Sequence, residues 1–421
     1  MTLKDRDKAH LWHPLTQHKL HPENIAITRA EGCLLYDENG KEYIDAISSW
    51  YTCMYGHCNP FITKKVSEQL DKLHHVVFSS LTHEPAVKLS EKLIEILPEN
   101  QNKIFFSDNG STSVEVAIKM ALQYHFNKGE NRNILIAFEE GFHGDTFGAM
   151  SVSGLSVYNG PFEKFFLEVK RIPTPKADNI LSILEELKAL ASTGKVAGFI
   201  YEPLVQGAAA MKMFEADGLN QILQYCQSQN IITIADEVMT GFGKTGKVFA
   251  SDHIETKPDI ICLSKALTAG IMPMAVTSCS QDVYNAFYSD EIGKGFFHGH
   301  TYSANPLACT AALAGIELLQ SEEIQDSIKR ITNAHEAFDK HIKLHPKVKS
   351  TRQCGVIYAL DLNVEMERYG NLRDKLFNYF LDNGIFLRPL GNTIYIQAPY
   401  TITKEELHKV YNVIEEALDT L

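Results

Sequence analysis

The sequence predicts an α/β fold: a large domain on a mainly parallel sheet flanked by helices, plus a smaller α+β domain. Two observations predict it. Between about residues 60 and 325, short apolar runs alternate with helical patterns, as βαβ units require. Beyond residue 325, helices mix with strand candidates at 384–387 and 393–397, which reads as a second, smaller α+β region. We therefore place the large domain at 49–325. The small domain takes 1–48 together with 326–421.

Residues 1–48 are polar and loop-like, with a strand candidate at 33–36 and a turn at Glu38-Asn39-Gly40. The runs at 104–106, 134–138, 196–200, 231–235 and 260–263 are the strands of the large domain. In open parallel sheets, ligands collect beyond the carboxyl ends of the strands. The residues that follow each run are therefore informative. They are Ser107 to Thr112, Gly141-Phe142-His143-Gly144-Asp145, Glu202-Pro203, Asp236-Glu237 and Ser264-Lys265. Packing alone does not place polar residues at the same end of successive strands.

The bulk numbers narrow the function classes. The chain has 421 residues, is 44% hydrophobic and carries a net charge of −12. That charge argues against a nucleic-acid surface, which needs clustered Lys and Arg. No run approaches the ~18 apolar residues of a membrane span. The start, MTLKDRDKAHLW, has no apolar signal region, so a cytoplasmic location is expected. The eight cysteines are scattered, as suits reduced thiols rather than a disulfide framework. Cys53, His57 and Cys58 lack a second cysteine pair, so no metal site is expected there.

Three signals carry the chemistry. Asp236 closes an apolar run, and a buried carboxylate needs a cation or hydrogen-bond donors. Lys265 ends another strand 29 residues later; burial lowers the pKa of such a lysine. A neutral lysine amine forms Schiff bases with aldehydes. The third signal is Ser107-Asp-Asn-Gly-Ser-Thr-Ser-Val-Glu115, where a strand stops and an amphipathic helix begins. Thr112 and Glu115 have the spacing of a capping box. The N–H groups of Gly110, Ser111 and Thr112 form an anion cup at the helix start. A Schiff-base lysine, a carboxylate for a ring nitrogen and a phosphate cup together match the needs of pyridoxal phosphate. Phe142 is the candidate for a flat residue over the ring face. Gly241-Phe-Gly-Lys-Thr-Gly246 resembles a nucleotide fingerprint, but it starts five residues after its strand and opens no long helix. It reads as a glycine-rich active-site loop.

On these residues the chain resembles the class III, fold-type I pyridoxal-phosphate aminotransferases over nearly its whole length. The shared motifs include HLWHPLTQ at 10–17, SSWY at 48–51, SDNGSTSVEVAIKMALQY at 107–124 and GFHGDTFGAMSVSG at 141–154. They continue with ADEVMTGFGKTG at 235–246, CLSKALTAG at 262–270 and FFHGHTYSANPLAC at 296–309. The narrower likeness is to members that aminate 8-amino-7-oxononanoate in biotin synthesis. The resemblance implies a seven-stranded sheet and a homodimer with active sites at the interface. It implies that Lys265 binds the cofactor aldehyde, Asp236 the pyridine nitrogen, and Gly110 and Ser111 the phosphate. Gly299, His300 and Thr301 would lie at the dimer interface, with Thr301 reaching the other subunit's phosphate. Trp50 would line the substrate pocket, and Arg388 would pair with the substrate carboxylate. Asp145, Glu202 and Tyr395 would support the site.

The sequence departs from the best-known family form around the amino-donor pocket. Leu15 and Phe142 stand where many members have tyrosine. Tyr51 replaces a second tryptophan, and Lys244 an arginine. His300 stands where members using S-adenosylmethionine often have proline, and relatives using lysine also carry His-Gly-His. The resemblance thus implies S-adenosylmethionine as donor, with lysine as an alternative. A broader ω-aminotransferase of the ornithine or 4-aminobutyrate type is the wider alternative.

Overall fold

The structure, a computed structural model, describes residues 1–20, 24–156, 159–364, 366 and 370–420. Its centre is a seven-stranded sheet. We number its strands β1 (Gln101–Ser107), β2 (Ile134–Phe138), β3 (Val169–Ile172), β4 (Val196–Tyr201), β5 (Ile232–Asp236), β6 (Ile260–Leu263) and β7 (Ala275–Ser280). Their spatial order is β1-β7-β6-β5-β4-β2-β3. Only β7 runs antiparallel to its neighbours; the others are parallel.

Strands buried on both faces read as unbroken apolar runs. Alternate residues nevertheless serve different cores, because successive side chains point to opposite faces. In β2, Ile134, Ile136 and Phe138 join the larger core, while Leu135 and Ala137 join the smaller. In β6, Ile261 and Leu263 face one way, and Ile260 and Cys262 the other. The helix Gly110–Asn127 covers the smaller core through Val114, Ala117, Ile118 and Ala121. The helix Ala216–Ser228 covers the larger through Leu219, Ile222, Leu223 and Cys226.

Two strands of this sheet escaped the sequence reading. The centre of β3, Lys170-Arg171, is polar, as an edge strand permits. The strand β7 reads Ala-Val-Thr-Ser-Cys-Ser yet is buried throughout. Its Thr277 hydroxyl donates to the Ser113 carbonyl at 2.9 Å, and Ser278 donates to Gln101 Oε1 at 2.7 Å.

The two ends of the chain meet. Strand Glu42–Asp45 pairs antiparallel with Leu34–Asp37 and parallel with Ile385–Phe386. Strands Val348–Cys354, Ile357–Leu362 and Thr393–Ile396 form a separate antiparallel sheet. The helix Glu322–Ile342 runs unbroken across position 325; the chain turns just before it, at Ser321, whose side chain caps it. The pairing of Glu42–Asp45 with Ile385–Phe386 matters for function. It sets the segment after Asp45, which carries Trp50, beside the segment after Phe386, which carries Arg388.

Candidate active site

A cavity of about 760 Å³ opens at the carboxyl ends of the parallel strands. Asp236 is the last residue of β5 and pairs with Cys262 of β6, three positions before Lys265. Both side chains therefore reach the same cavity from adjacent strands. Asp236 is 4% exposed. Its Oδ1 accepts from the Val238 N–H at 3.1 Å, and its Oδ2 accepts from His143 Nδ1 at 2.7 Å. Sequence reasoning had not singled out His143. The signal was its place in GFHGD, one residue after Phe142, at the end of the strand that would face Asp236.

Lys265 follows β6 in a left-handed conformation, φ 49°. It is half-buried and lines the cavity. Burial lowers its pKa below the ordinary lysine value, while Asp236 and Glu202 pull the other way. Glu202 accepts from the Phe142 N–H and the Gly207 N–H, each at 2.9 Å. Burial pushes its carboxyl up to about 7, and the Asp236 charge adds to this.

The anion cup forms, with a changed cap. Asn109 is the N-cap: its side chain accepts from Thr112 N–H at 3.0 Å, and Thr112 Oγ1 accepts from Asn109 N–H at 3.0 Å. Glu115 was expected to complete a box with Thr112. Instead its carboxylate accepts from Gly148 and Ala149, tying the next loop to this helix. The Asn109 box uses the Thr112 N–H. Gly110 and Ser111 then present their N–H groups at the cavity wall. Gly110 is required: a Cβ there would meet Val238 Cγ1 at 2.8 Å. Asp145 also walls the cavity, and its N–H donates to Ser111 Oγ at 3.2 Å.

Phe142 and Trp50 are large cavity side chains that remain 41% and 42% exposed. Trp50 sits on an unusual turn. Ser48, Ser49, Trp50 and Tyr51 have φ of 49°, 46°, 63° and 71°. Each non-glycine residue in that region costs roughly 1–2 kcal/mol. The Lys265 ammonium-bearing end lies 5.7 Å from the Tyr51 ring centre, and the Arg388 guanidinium 5.5 Å from that of Trp50. Leu15 completes this side of the cavity. Tyr395 lies behind it, buried, with its ring 6.0 Å from that of Tyr51.

Four expected residues lie off this cavity: Tyr395 behind it, and Gly299, His300 and Thr301, of which His300 Nδ1 stands 3.0 Å from Asp108 Oδ2. The glycine-rich stretch 241–246 also lies off it, which corrects its reading as an active-site loop within one chain. It packs instead on the C-terminal region. The Val356 N–H donates to the Lys244 carbonyl at 2.9 Å, and the Tyr400 hydroxyl donates to the Phe242 carbonyl at 2.7 Å. Lys244 is fully buried and donates to the Gly241 carbonyl at 3.0 Å; burial and the nearby Lys265 charge hold its pKa well below the usual lysine range. No group of three or more metal-ligating side chains occurs among the described residues. No described helix is long and apolar enough to cross a membrane.

Known proteins share this whole arrangement of elements. The chain matches the family described as Aminotransferase class-III over residues 16–418. It is 41% identical to adenosylmethionine-8-amino-7-oxononanoate aminotransferase of Synechococcus elongatus, over 98% of this chain and 99% of that one. The enzyme of the same name from Helicobacter pylori is 35% identical, over 99% and 97%. Among solved structures, adenosylmethionine-8-amino-7-oxononanoate aminotransferase from Methanocaldococcus jannaschii superposes with a TM-score of 0.93. It is 33% identical, over 99% of this chain and 98% of that one. An ω-transaminase from Pseudomonas jessenii, solved in complex with PMP, gives 0.92 at 26% identity, over 100% and 98%. A strand-end lysine beside a buried aspartate, together with a family match over nearly the full length, leaves one conclusion: the chain belongs to the class-III aminotransferases.

Proposed function

We propose that the protein transfers an amino group to the ketone of 8-amino-7-oxononanoate, giving 7,8-diaminononanoate in biotin biosynthesis. S-adenosylmethionine is the proposed donor. The observation that carries the chemistry is the convergence of Lys265, Asp236 and two helix-start N–H groups on one cavity. The substrate rests on the shared name of relatives that match end to end. The enzyme works in the cytoplasm as a homodimer, with Gly299, His300 and Thr301 at the interface.

The residues fit pyridoxal 5'-phosphate. The glycine at 110 leaves room where a Cβ would collide, and the adjacent N–H groups suit a phosphate dianion at the positive end of an 18-residue helix. When bound, pyridoxal phosphate supplies an electron sink for a carbanion and carries nitrogen between two half-reactions. The Asp236 carboxylate would hold a proton at the pyridine nitrogen of the bound group. His143 holds Asp236 in place by its 2.7 Å bond. Lys265 Nζ, with its pKa lowered by burial, would take a proton from the donor's amine-bearing carbon in the first half-reaction and would deliver a proton to the acceptor's ketone carbon in the second. Phe142 gives a flat apolar wall. Arg388 receives the carboxylate of the oxononanoate, and Trp50 and Tyr51 shape the pocket for its chain.

Two substitutions test these assignments. Arg388→Ala raises KM for 8-amino-7-oxononanoate about 30-fold with a smaller change in kcat, as expected when a charge-assisted pair is lost. Steady-state kinetics on the ketone check it. Gly110→Ala weakens cofactor binding about tenfold, since the new methyl meets Val238 and shifts the cup. Titration of apo-protein with pyridoxal phosphate, read by absorbance, checks that.

The substrate assignment has a direct test. The holoenzyme is given 8-amino-7-oxononanoate with S-adenosylmethionine, lysine, ornithine or 4-aminobutyrate in turn. Amination of the ketone with S-adenosylmethionine is the expected result. Turnover with lysine alone moves the donor assignment. If the ketone is never aminated while ornithine or 4-aminobutyrate is consumed with another acceptor, the enzyme is a broader ω-aminotransferase.

A further inference from the structure

The turn Ser48–Tyr51 holds four consecutive non-glycine residues in the left-handed region. Such strain persists only where the surroundings over-determine it. Asp45 is one of the groups that do this. Asp45 is fully buried at the end of strand Glu42–Asp45. Its Oδ1 accepts from the Ile47 N–H at 3.3 Å, and its Oδ2 accepts from the Ser49 hydroxyl at 2.8 Å. The same Oδ2 accepts from His57 Nε2 at 2.9 Å. His57 is itself anchored: its N–H donates to the Gly32 carbonyl at 2.7 Å, and its carbonyl accepts from the Gly32 N–H at 3.1 Å. Burial alone would lower the His57 pKa, but its bonds to Asp45 and Cys53 outweigh that and lift it to about 10. A second tie comes from Ser48, whose hydroxyl donates to the Gln397 carbonyl at 2.6 Å.

Resting on the proposed function, we infer that the Asp45–His57 ion pair is a positioning device for substrate: it fastens the left-handed turn that presents Trp50 and Tyr51 to the cavity. Neither residue of the pair walls the cavity. They act through the turn, whose Trp50 ring centre lies 5.5 Å from the Arg388 guanidinium and whose Tyr51 ring centre lies 5.7 Å from Lys265 Nζ. Loosening the fastener lets the strained turn relax toward ordinary φ values. The wall that meets the substrate then loses its shape, while the cofactor cup and Lys265, on other strands, stay in place.

The test uses the holoenzyme in a Trp12→Phe background, which leaves Trp50 as the only indole. Into it go His57→Gln and, separately, Asp45→Asn. The expected result is a KM for 8-amino-7-oxononanoate raised about tenfold, with kcat within about threefold of the parent. Trp50 emission becomes about twofold more quenchable by acrylamide, and the visible absorbance of bound cofactor is unchanged. Adding Ser49→Gly to His57→Gln recovers part of the KM, because glycine adopts φ > 0 without a fastener. Unchanged KM and quenching in both variants overturn the inference. So does joint loss of fold and cofactor absorbance, which would make the pair a global stabiliser. A glycine variant that deepens the defect also overturns it. If neither parent nor variants aminate the ketone, the substrate reading fails, and Trp50 quenching alone still decides the role of the pair.

Discussion

Lys265→Ala lowers kcat by roughly 10⁴-fold, because one residue both binds the cofactor aldehyde and moves the proton. The structure explains why this lysine suits the work. It follows an interior strand, with the carboxyl groups of Asp236 and Glu202 as neighbours. Desolvation penalises its ammonium form, so the amine is available nearer neutral pH than that of a surface lysine. Its left-handed backbone, φ 49°, turns the side chain from the strand into the cavity. Alanine keeps the backbone and removes the nucleophile. The variant should fold, lose the visible absorbance of the lysine-bound cofactor, and fail in both half-reactions. Single-turnover absorbance with S-adenosylmethionine and with lysine checks this.

Asp236→Asn lowers kcat by roughly 10³-fold, equivalent to about 4 kcal/mol at the transition state. Asparagine preserves the shape and can still accept from the Val238 N–H through its oxygen. It carries no charge to hold a proton at the pyridine nitrogen. It also removes the anion that pairs with the fully buried His143 at 2.7 Å. The electron sink weakens while cofactor and substrate still bind. The expected pattern is therefore a large fall in kcat, a small change in KM and a retained cofactor spectrum. Loss of the spectrum would instead assign Asp236 a role in retention of the cofactor.

Much of this site was legible in the sequence, for a physical reason. Interior parallel strands must be apolar on both faces, so β2 and β6 stand out as unbroken runs at 134–138 and 260–263. Function sits at their carboxyl ends, so the next polar residue in each case is a candidate. Asp236, Lys265, Gly110, Ser111 and Phe142 were reached that way, and all wall one cavity. β7 escaped because its buried hydroxyls are satisfied by distant partners, Ser113 and Gln101, that no local pattern reveals. The left-handed turn escaped because Ser48, Ser49, Trp50 and Tyr51 include no glycine. Ser49 bonds Asp45, Asp45 also bonds His57, and Ser48 bonds the Gln397 carbonyl, partners that the local spacing does not reveal. The stretch 241–246 misled for the converse reason. Its glycines serve close packing: a Cβ at Gly243 would meet Ile328 at 2.9 Å and Tyr400 at 3.0 Å. The capping residue shifted from Thr112 to Asn109 because Glu115 is engaged by the Gly148 and Ala149 N–H groups, a tertiary contact invisible to spacing rules.

Two lysines lie near this site, the half-buried Lys265 inside the cavity and the fully buried Lys244 behind it. Borohydride reduction of the holoenzyme, followed by peptide mass mapping, fixes the cofactor to whichever lysine holds it. The pyridoxyl mass on the peptide containing Lys265, and on no other, is the predicted result. A label on Lys244, or no labelled lysine at all, would contradict the account.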